Sequence, residues 1–232
     1  MSEDKKETSK ALQNLFYQYS HLPLGGKEIV CPYWKNNLRR MIFGPFGGKG
    51  KPGQIVEATK KEAEKARIDL NKMREKEILK FMKRKKIGID CSGFVFWLLE
   101  ALDREKGGRG IGLLARKTNV KLLTSDKVSL AVESLPKIKV GDLIRLNEGK
   151  HLAIVISLKK KADGELVEIE YAHSSNQTFL PGVHLGKIKI VGPGQPLEKQ
   201  IWLEKTKRGR NYGKNFYLPS EGDSIRRLKL WA

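Results

Sequence analysis

Four apolar segments, separated in part by short polar turns, lie after Gly112 and constrain the fold of this chain most strongly. Their sequences are KIKVGDLIRL, HLAIVISL, LVEIEYAH and VHLGKIKIV, and the connectors NEGK and KKKADGE separate the first three. Alternating, β-branched segments bounded by turn residues are typical of strands. Because short connections join antiparallel neighbours, they predict an antiparallel sheet. The segment SIRRLKLW near the C-terminus adds a further strand, which makes about five.

A buried helix is predicted ahead of these strands. The segment from Asp90 to Gly108 contains the apolar stretch FVFWLLEAL and ends in two glycines. Asp is a favourable N-cap and Gly commonly ends a helix, so Cys91 should lie in the first helical turn. A helix packed on an antiparallel sheet gives an α+β fold. The length of 232 residues fits a single domain over residues 1–232.

The remaining segments differ in their helical and loop character. Residues 11–19 have the apolar spacing of a short helix, and residues 21–53 are rich enough in Gly and Pro to predict an ordered loop. Residues 54–86 contain no Gly or Pro and are dense in Glu, Lys, Arg and Ala. They predict one long, exposed, basic helix. Residues 192–219 mix basic, aromatic, Gly and Pro residues and predict a loop-rich segment.

The net charge predicts attraction to polyanions. The chain has 46 Lys and Arg against 26 Asp and Glu, a formal charge of +20. Such a field favours nucleic acid, acidic wall polymers or anionic membranes without choosing among them. The longest uncharged apolar run, LAIVISL, is too short to cross a bilayer as a helix. The amino terminus lacks the features of a signal peptide, so the expected location is the cytoplasm unless another route delivers the protein elsewhere.

Cys91 is the candidate nucleophile. Unpaired N–H groups at a helix start favour an anion, so this position predicts a lowered thiol pKa. The chain contains two cysteines, too few for a disulfide-stapled scaffold. Cys31, beside Pro32, is interpreted as structural, and Cys91 is expected to be free.

His151 and His173 are the candidate partners of Cys91. His151 opens one predicted strand and His173 ends the next, so the hairpin between them should bring the two rings within hydrogen-bonding distance. A base at His151 would activate the thiol. The other two histidines, His21 in a loop and His184 in a predicted strand, lack this context and are left out. A zinc site formed by Cys91, His151 and His173 is the alternative, but no CxxC or HExxH spacing accompanies it, and neither a metal nor a cofactor is expected.

Several short segments of the chain resemble the NlpC-type papain-like cysteine peptidases, which cut bacterial cell-wall peptides. The segment DCSGFV is similar to the nucleophile motif of that family, and VGDLIRL to the strand before its histidine. The segment HLAIVISL is similar to the histidine-bearing strand, and YAHSS to the stretch with the third polar residue. The order matches as well, and the resemblance covers roughly Gly88 to Ile190.

The resemblance implies a papain-like fold and a role for each matching residue. Cys91 matches the nucleophile, His151 the general base and His173 the third member of the triad, with Asp90 and Ser92 flanking the nucleophile as supporting residues. Tyr33 in CPYW is similar to a family tyrosine whose hydroxyl approaches the active site. The implied reaction is hydrolysis of the γ-D-glutamyl to diamino-acid bond of peptidoglycan or muropeptide substrates. The family has a short link between tyrosine and nucleophile, so residues 54–86 are interpreted as a helical insertion.

Two alternatives remain open at this level. A polyanion- or nucleic-acid-binding protein on a papain-like scaffold would use residues 54–86 and the segment KRGRNYGKNFY, whose aromatics could stack on bases. An amidase or acyltransferase could use the same fold and the same cysteine. A wall peptidase without a signal peptide would need delivery by a phage lysis system, by non-classical export, or a role in recycling wall peptides.

Overall fold

The computed structural model describes residues 4–232 and has an α+β architecture. Within this range there are six α-helices: α1 (Lys10–Ser20), α2 (Pro52–Lys65), α3 (Glu75–Arg84), α4 (Cys91–Glu105), α5 (Val120–Leu123) and α6 (Tyr212–Phe216). None of the helices in this range combines the length and the apolar character that crossing a bilayer requires.

The strands form one large antiparallel sheet and one small hairpin. The strands are β1 (Lys5–Thr8), β2 (Leu22–Leu24), β3 (Lys27–Ile29), β4 (Ser129–Ala131), β5 (Leu143–Leu146), β6 (His151–Lys160), β7 (Leu166–Ser175), β8 (Gly182–Lys189), β9 (Ile201–Trp202) and β10 (Ile225–Leu228). In the described residues the large sheet has eight strands in the order β4-β10-β5-β6-β7-β8-β9, and β1 pairs with the far half of β6. Strands β2 and β3 form the hairpin.

The five predicted strands are confirmed as β5, β6, β7, β8 and β10, but the sheet is larger than expected. The missed strands are β1, β4 and β9, which have the sequences KKET, SLA and IW. These segments are two to four residues long. Strand signals in a sequence depend on alternation over several residues, so edge strands this short or this charged give none.

Both faces of the sheet are covered by apolar side chains. On one face, Leu152, Ile154 and Ile156 of β6 join a core cluster with α1, α2, α3 and α4. On the other face, Ala153 and Val155 of the same strand join a second cluster that includes aromatic residues from β9 and α6. Successive side chains of a strand point to opposite faces. The continuous apolar sequence of β6 follows from this two-sided burial.

The single long helix predicted for residues 54–86 is wrong. The structure has α2 and α3, separated by a left-handed residue at Arg67 and a short 3-10 turn at Leu70–Lys72. The Asp69 carboxylate accepts from the N–H of Asn71, and Glu77 accepts from the N–H of Arg74. Such side-chain bonds to the backbone compete with a continuous helix and favour a new start. Both helices also bury one face in the core, so the region is not wholly exposed.

Two segments predicted as loops contain regular structure. Within residues 21–53, Gly25 and Gly26 have φ of 59° and 67° and connect β2 to β3. Two left-handed residues in a two-residue connection are the signature of a type I′ hairpin. Within residues 192–219, the chain forms β9 and α6, and the rest of that segment has turns and 3-10 structure.

Candidate active site

Cys91 lies at the start of α4, as the sequence predicts. Asp90 is the N-cap, and its Oδ1 accepts from the N–H of Gly93 at 2.6 Å. The ammonium group of Lys49 lies 2.8 Å from this same oxygen and donates to Oγ of Ser92 at 2.6 Å. Asp90 and Ser92 therefore hold the turn that carries the thiol, and Lys49 ties this turn to the preceding loop. No sequence pattern indicates this role of Lys49.

The loop before α4 approaches the nucleophile turn too closely for larger residues. The N–H of Asp90 donates to the carbonyl of Gly48 at 3.0 Å, and a Cβ added at Gly93 would lie 2.2 Å from that carbonyl oxygen. Gly48 itself has φ of 82°, a conformation that favours glycine. The packing of this loop on α4 thus requires glycine at both positions.

We expect Gly93→Ala to destabilise the protein by about 1–3 kcal/mol, the cost of overpacking a well-packed site. The matched control is Gly53→Ala in the first turn of α2, where an added Cβ meets nothing within 4 Å. That change should be neutral or slightly stabilising, since Ala is the better helix former. Chemical denaturation of both variants measures the difference. Equal midpoints for the two variants would contradict the close approach at Gly93.

The predicted thiolate at Cys91 is wrong for the protein as folded. Burial raises the pKa of the Cys91 thiol to about 12, and the charge of Asp90 adds to this effect. Lys49 and the backbone amides of Leu152 and Ser92 lower the pKa, but by less. The side chain is 6% exposed. The helix start therefore favours the anion less than loss of water disfavours it, and the resting group is a thiol.

The state of Cys91 can be followed by iodoacetamide labelling resolved by peptide mass spectrometry. Because the thiolate reacts, labelling below the pKa should accelerate about tenfold for each pH unit between about pH 7 and pH 10. Asp90→Asn keeps the helix cap but removes a charge that raises the thiol pKa, so the profile should move to lower pH. Asp69→Asn, at an exposed turn, is the control. A labelling rate that levels off below about pH 8 in the wild type would contradict a raised pKa.

His151 and His173 are brought together as the sequence predicts. His151 is the first residue of β6 and His173 lies in β7, the neighbouring strand. Nε2 of His151 lies 2.8 Å from Nδ1 of His173. The backbone amide of Leu152, the residue after His151, is among the groups that lower the pKa of the Cys91 thiol, so the thiol lies near the first residues of β6. The two histidines thus meet where β6 begins and β7 ends, and Cys91 lies at the start of α4.

Glu204, which the sequence did not single out, continues this line. Its Oε1 lies 3.0 Å from Nε2 of His173 and 2.6 Å from Nε2 of His184, and its other carboxylate oxygen accepts from the hydroxyl of Tyr171. Its side chain is 7% exposed. Burial would raise the pKa of Glu204, but its contacts with His173 and His184 outweigh burial and hold the pKa well below its usual value. Glu204 is therefore a buried carboxylate.

The hydrogen-bond order follows from this carboxylate. Burial lowers the pKa of both His151 and His173, so both rings are neutral near pH 7. A carboxylate only accepts, so Nε2 of His173 carries the hydrogen and its Nδ1 accepts. His151 must then donate from Nε2, which leaves Nδ1 of His151 with a free lone pair. Glu204 thus sets the tautomers of two histidines.

His184, which is not among the residues predicted for the site, lies beside His173 and Glu204, whereas His21 lies apart from them. His184 pairs with His173 across β7 and β8, and its ring lies 4.3 Å from that of His173. The sequence held this signal, because the turn before β8 sets the antiparallel register that places the two histidines opposite each other. Glu204 comes from the segment after β9 and had no such signal. His21 stacks on Tyr17 near the end of α1.

The structure places Tyr33 beside the turn that carries Cys91 and buries both cysteines. Tyr33 forms a bridge with Ile89 just before the nucleophile turn, and burial, Cys91 and Asp90 all raise the pKa of its hydroxyl. Tyr33 is therefore close to the thiol despite its distance in sequence. Cys31 is fully buried, and both cysteines are free, which confirms the expectation that Cys91 is not in a disulfide.

The zinc ligands considered from the sequence, Cys91, His151 and His173, differ from the group of ligands that the fold brings together. Among residues 4–232, one group of His, Cys, Asp or Glu has its ligand atoms close enough to share a metal ion, and it consists of His173, His184 and Glu204. The ligand atoms lie within 4.8 Å of one another. Cys91 and His151 are outside this group.

No protein-family model, curated protein or solved structure matches this chain. The resemblance to the cell-wall peptidases therefore depends on the short segments quoted above. In the structure, DCSGFV forms the start of α4, VGDLIRL leads into β5, HLAIVISL forms most of β6 and YAHSS ends β7. The ends of α4, β6 and β7 carry the cluster described here.

Proposed function

We propose that this chain is a papain-like cysteine peptidase of the NlpC type that hydrolyses amide bonds in peptidoglycan stem peptides. The observation that carries the proposal is the hydrogen-bonded line from His151 through His173 to Glu204. At its His151 end, the backbone amide of Leu152 lowers the pKa of the Cys91 thiol. A buried carboxylate that orients a histidine next to a nucleophile is the arrangement of acyl-transfer triads. Here a second histidine lies between the carboxylate and the base.

The raised thiol pKa favours a mechanism without a preformed ion pair. As Cys91 attacks the carbonyl carbon of the substrate, its proton moves to Nδ1 of His151 and an S–C bond forms. His151 then gives this proton to the leaving amine, the C–N bond breaks, and a thioester remains. Water, deprotonated by His151, attacks the thioester and releases the acid and the thiol. Glu204 and His173 stabilise the imidazolium that forms at His151 in each half-reaction.

The tetrahedral intermediate needs donors for its oxyanion. We assign this role to the backbone N–H groups in the first turn of α4 and to the hydroxyl of Tyr33. Lys49 adds positive charge at the same turn. In enzymes of this type, one such donor contributes roughly 2.7–4 kcal/mol to stabilising the transition state.

The substrate class comes from the resemblance, and the basic surface is compatible with it. The γ-D-glutamyl to diamino-acid bond is the bond that the family cuts, and wall polymers are polyanions that a chain of charge +20 attracts. The test is incubation with purified muropeptides and mass spectrometry of the products. A free acid and a free amine indicate hydrolysis, whereas transfer to an added amine or alcohol indicates the acyltransferase alternative.

Polyanion binding remains a second candidate, and one observation favours it. The cationic residues of the C-terminal segment are exposed, namely Lys205, Lys207, Arg208, Arg210 and Lys214. Base stacking is disfavoured, because Tyr212 and Tyr217 of this segment are buried against Trp202. The surface thus suits phosphate or carboxylate groups of a polymer better than unstacked bases. A binder of this kind needs no thiol, so the effect of removing Cys91 separates the two candidates.

A further inference from the structure

We propose that His173, His184 and Glu204 form a binding site for a divalent transition-metal ion of the zinc class. Two imidazoles and one carboxylate are a ligand set that zinc accepts, with a fourth position left for water. One ligand atom of each residue lies within 4.8 Å of the other two, and Oε1 of Glu204 contacts Nε2 of both His173 and His184. The proposed site shares His173 and Glu204 with the proposed active site but does not include the nucleophile.

The spacing of the ligand atoms is close to that of a tetrahedral site. Ligands at about 2.0 Å from zinc lie roughly 3.3 Å apart at tetrahedral angles. The two histidine nitrogens lie 3.0 Å and 2.6 Å from Oε1 of Glu204. Each contact therefore needs to lengthen by less than about 1 Å to admit the ion. The neighbouring strands β7 and β8 pair His173 directly with His184, and the centroids of the two rings lie 4.3 Å apart.

The groups around the three ligands are those that a metal site requires. Metal-binding histidines donate their other N–H to a carbonyl or a similar acceptor, and ligating carboxylates are themselves hydrogen-bonded. Nδ1 of His184 lies 2.9 Å from the carbonyl of Gly182, which fixes Nε2 as the ligating nitrogen. Nδ1 of His173 faces His151, and the second oxygen of Glu204 accepts from Tyr171. Each of the three ligands is thus oriented by a contact at its other polar atom, the one that does not face the proposed metal.

An ion can reach the site from the surface. A groove of about 370 Å³ has His184 and Glu204 in its lining, together with the exposed side chains of Phe179, Leu185 and Leu203. Its apolar walls lower the local dielectric and so strengthen the attraction between a cation and the Glu204 carboxylate. Lys187 also lines the groove, but Glu168 and Glu170 pair with its ammonium group at 3.2 and 3.4 Å.

Metal binding has a consequence for catalysis that rests on the proposed function. A metal on Nε2 of His173 takes the lone pair there, so the neutral ring carries its hydrogen on Nδ1 and donates to His151. His151 then accepts at Nε2 and carries its own hydrogen on Nδ1. This is the nitrogen that must receive the proton of Cys91. Zinc should therefore inhibit hydrolysis without occupying the thiol.

Zinc binding is best measured on full-length, untagged Cys91→Ala protein, because this variant lacks the reactive thiol and needs no substrate. We expect competition against a chromogenic chelator to give one zinc per chain. His184→Ala in this background should weaken the affinity beyond the roughly 10- to 100-fold that loss of an outer hydrogen bond costs, and Tyr171→Phe should fall within that range. His21→Ala is the matched histidine control and should leave affinity unchanged.

Two results would overturn the proposed zinc site. Less than one equivalent of zinc on Cys91→Ala, or equal affinities for the His184→Ala and His21→Ala forms, would exclude the site. Circular dichroism of each variant distinguishes a loss of zinc binding from a loss of folding. Tyr171→Phe removes only a hydroxyl, so its zinc affinity tests the site with little risk to the fold. Zinc that binds wild-type protein without inhibiting it overturns the tautomer argument. Hydrolysis in the presence of chelator tests the peptidase separately, so the two failures are distinguishable.

Discussion

Replacing Cys91 with alanine is expected to abolish hydrolysis of muropeptides, with a loss of roughly 10⁴- to 10⁶-fold in kcat, the range seen when one member of such a catalytic unit is removed. A thioester requires a thiol, and the other cysteine of the sequence is Cys31. Folding should persist, because Cys91 has a small side chain and the helix cap depends on Asp90. The rate of product formation, followed by mass spectrometry, is the measurement.

Cys31→Ala is the matched control, since it also removes a buried cysteine. Its sulfur lies 3.8 Å from the carbonyl oxygen of Pro32. We expect this variant to lose some stability from the vacated volume but to retain its turnover per folded molecule. Hydrolysis by Cys91→Ala at the wild-type rate would exclude the cysteine mechanism and leave polyanion binding as the leading function.

Glu204→Gln is expected to lower kcat by about 10²- to 10⁴-fold, a magnitude comparable to loss of the orienting carboxylate in a serine triad. The amide keeps the shape of the side chain but removes the charge, and its NH₂ group donates where the carboxylate only accepts. The order of hydrogens through His173 to His151 is then no longer imposed. The imidazolium that forms at His151 also loses its counter-charge. The KM for substrate should change little, because Glu204 lies beyond two histidines from the thiol.

The control for this variant is Glu198→Gln, which changes an exposed carboxylate in the same part of the chain. We expect its kinetics to match those of the wild type. The melting temperature separates a positioning role from simple loss of structure. Partial unfolding also lowers the apparent kcat and leaves KM unchanged, but it lowers the melting temperature as well. Wild-type kcat in Glu204→Gln would show that the carboxylate does not orient the relay. The same variant should lose zinc binding, which provides a second and independent readout.

Much of the fold was predictable because its signals are local. The alternation and apolar length of β5, β6, β7, β8 and β10 identified the central strands, and the N-cap at Asp90 located the start of α4. The predictions that were wrong or missing also concern short segments of the chain. The break between α2 and α3 depends on side-chain caps at Asp69 and Glu77 that override a helix-forming composition. The short edge strands have no periodicity, and pairing with a neighbour alone makes them strands.

The order of Cys91, His151 and His173 along the chain and the hairpin that brings the two histidines together follow from local sequence patterns. A turn between two strands sets their register, so residues far apart in sequence become neighbours across the sheet. The protonation state of the Cys91 thiol and the identity of the carboxylate beside the histidines depend on the tertiary structure. Burial raises the pKa of Cys91 against the effect of the helix start, because loss of water depends on everything that packs around the thiol. Glu204 arrives from a segment with no local signal, and only the folded chain places its carboxylate between two histidines.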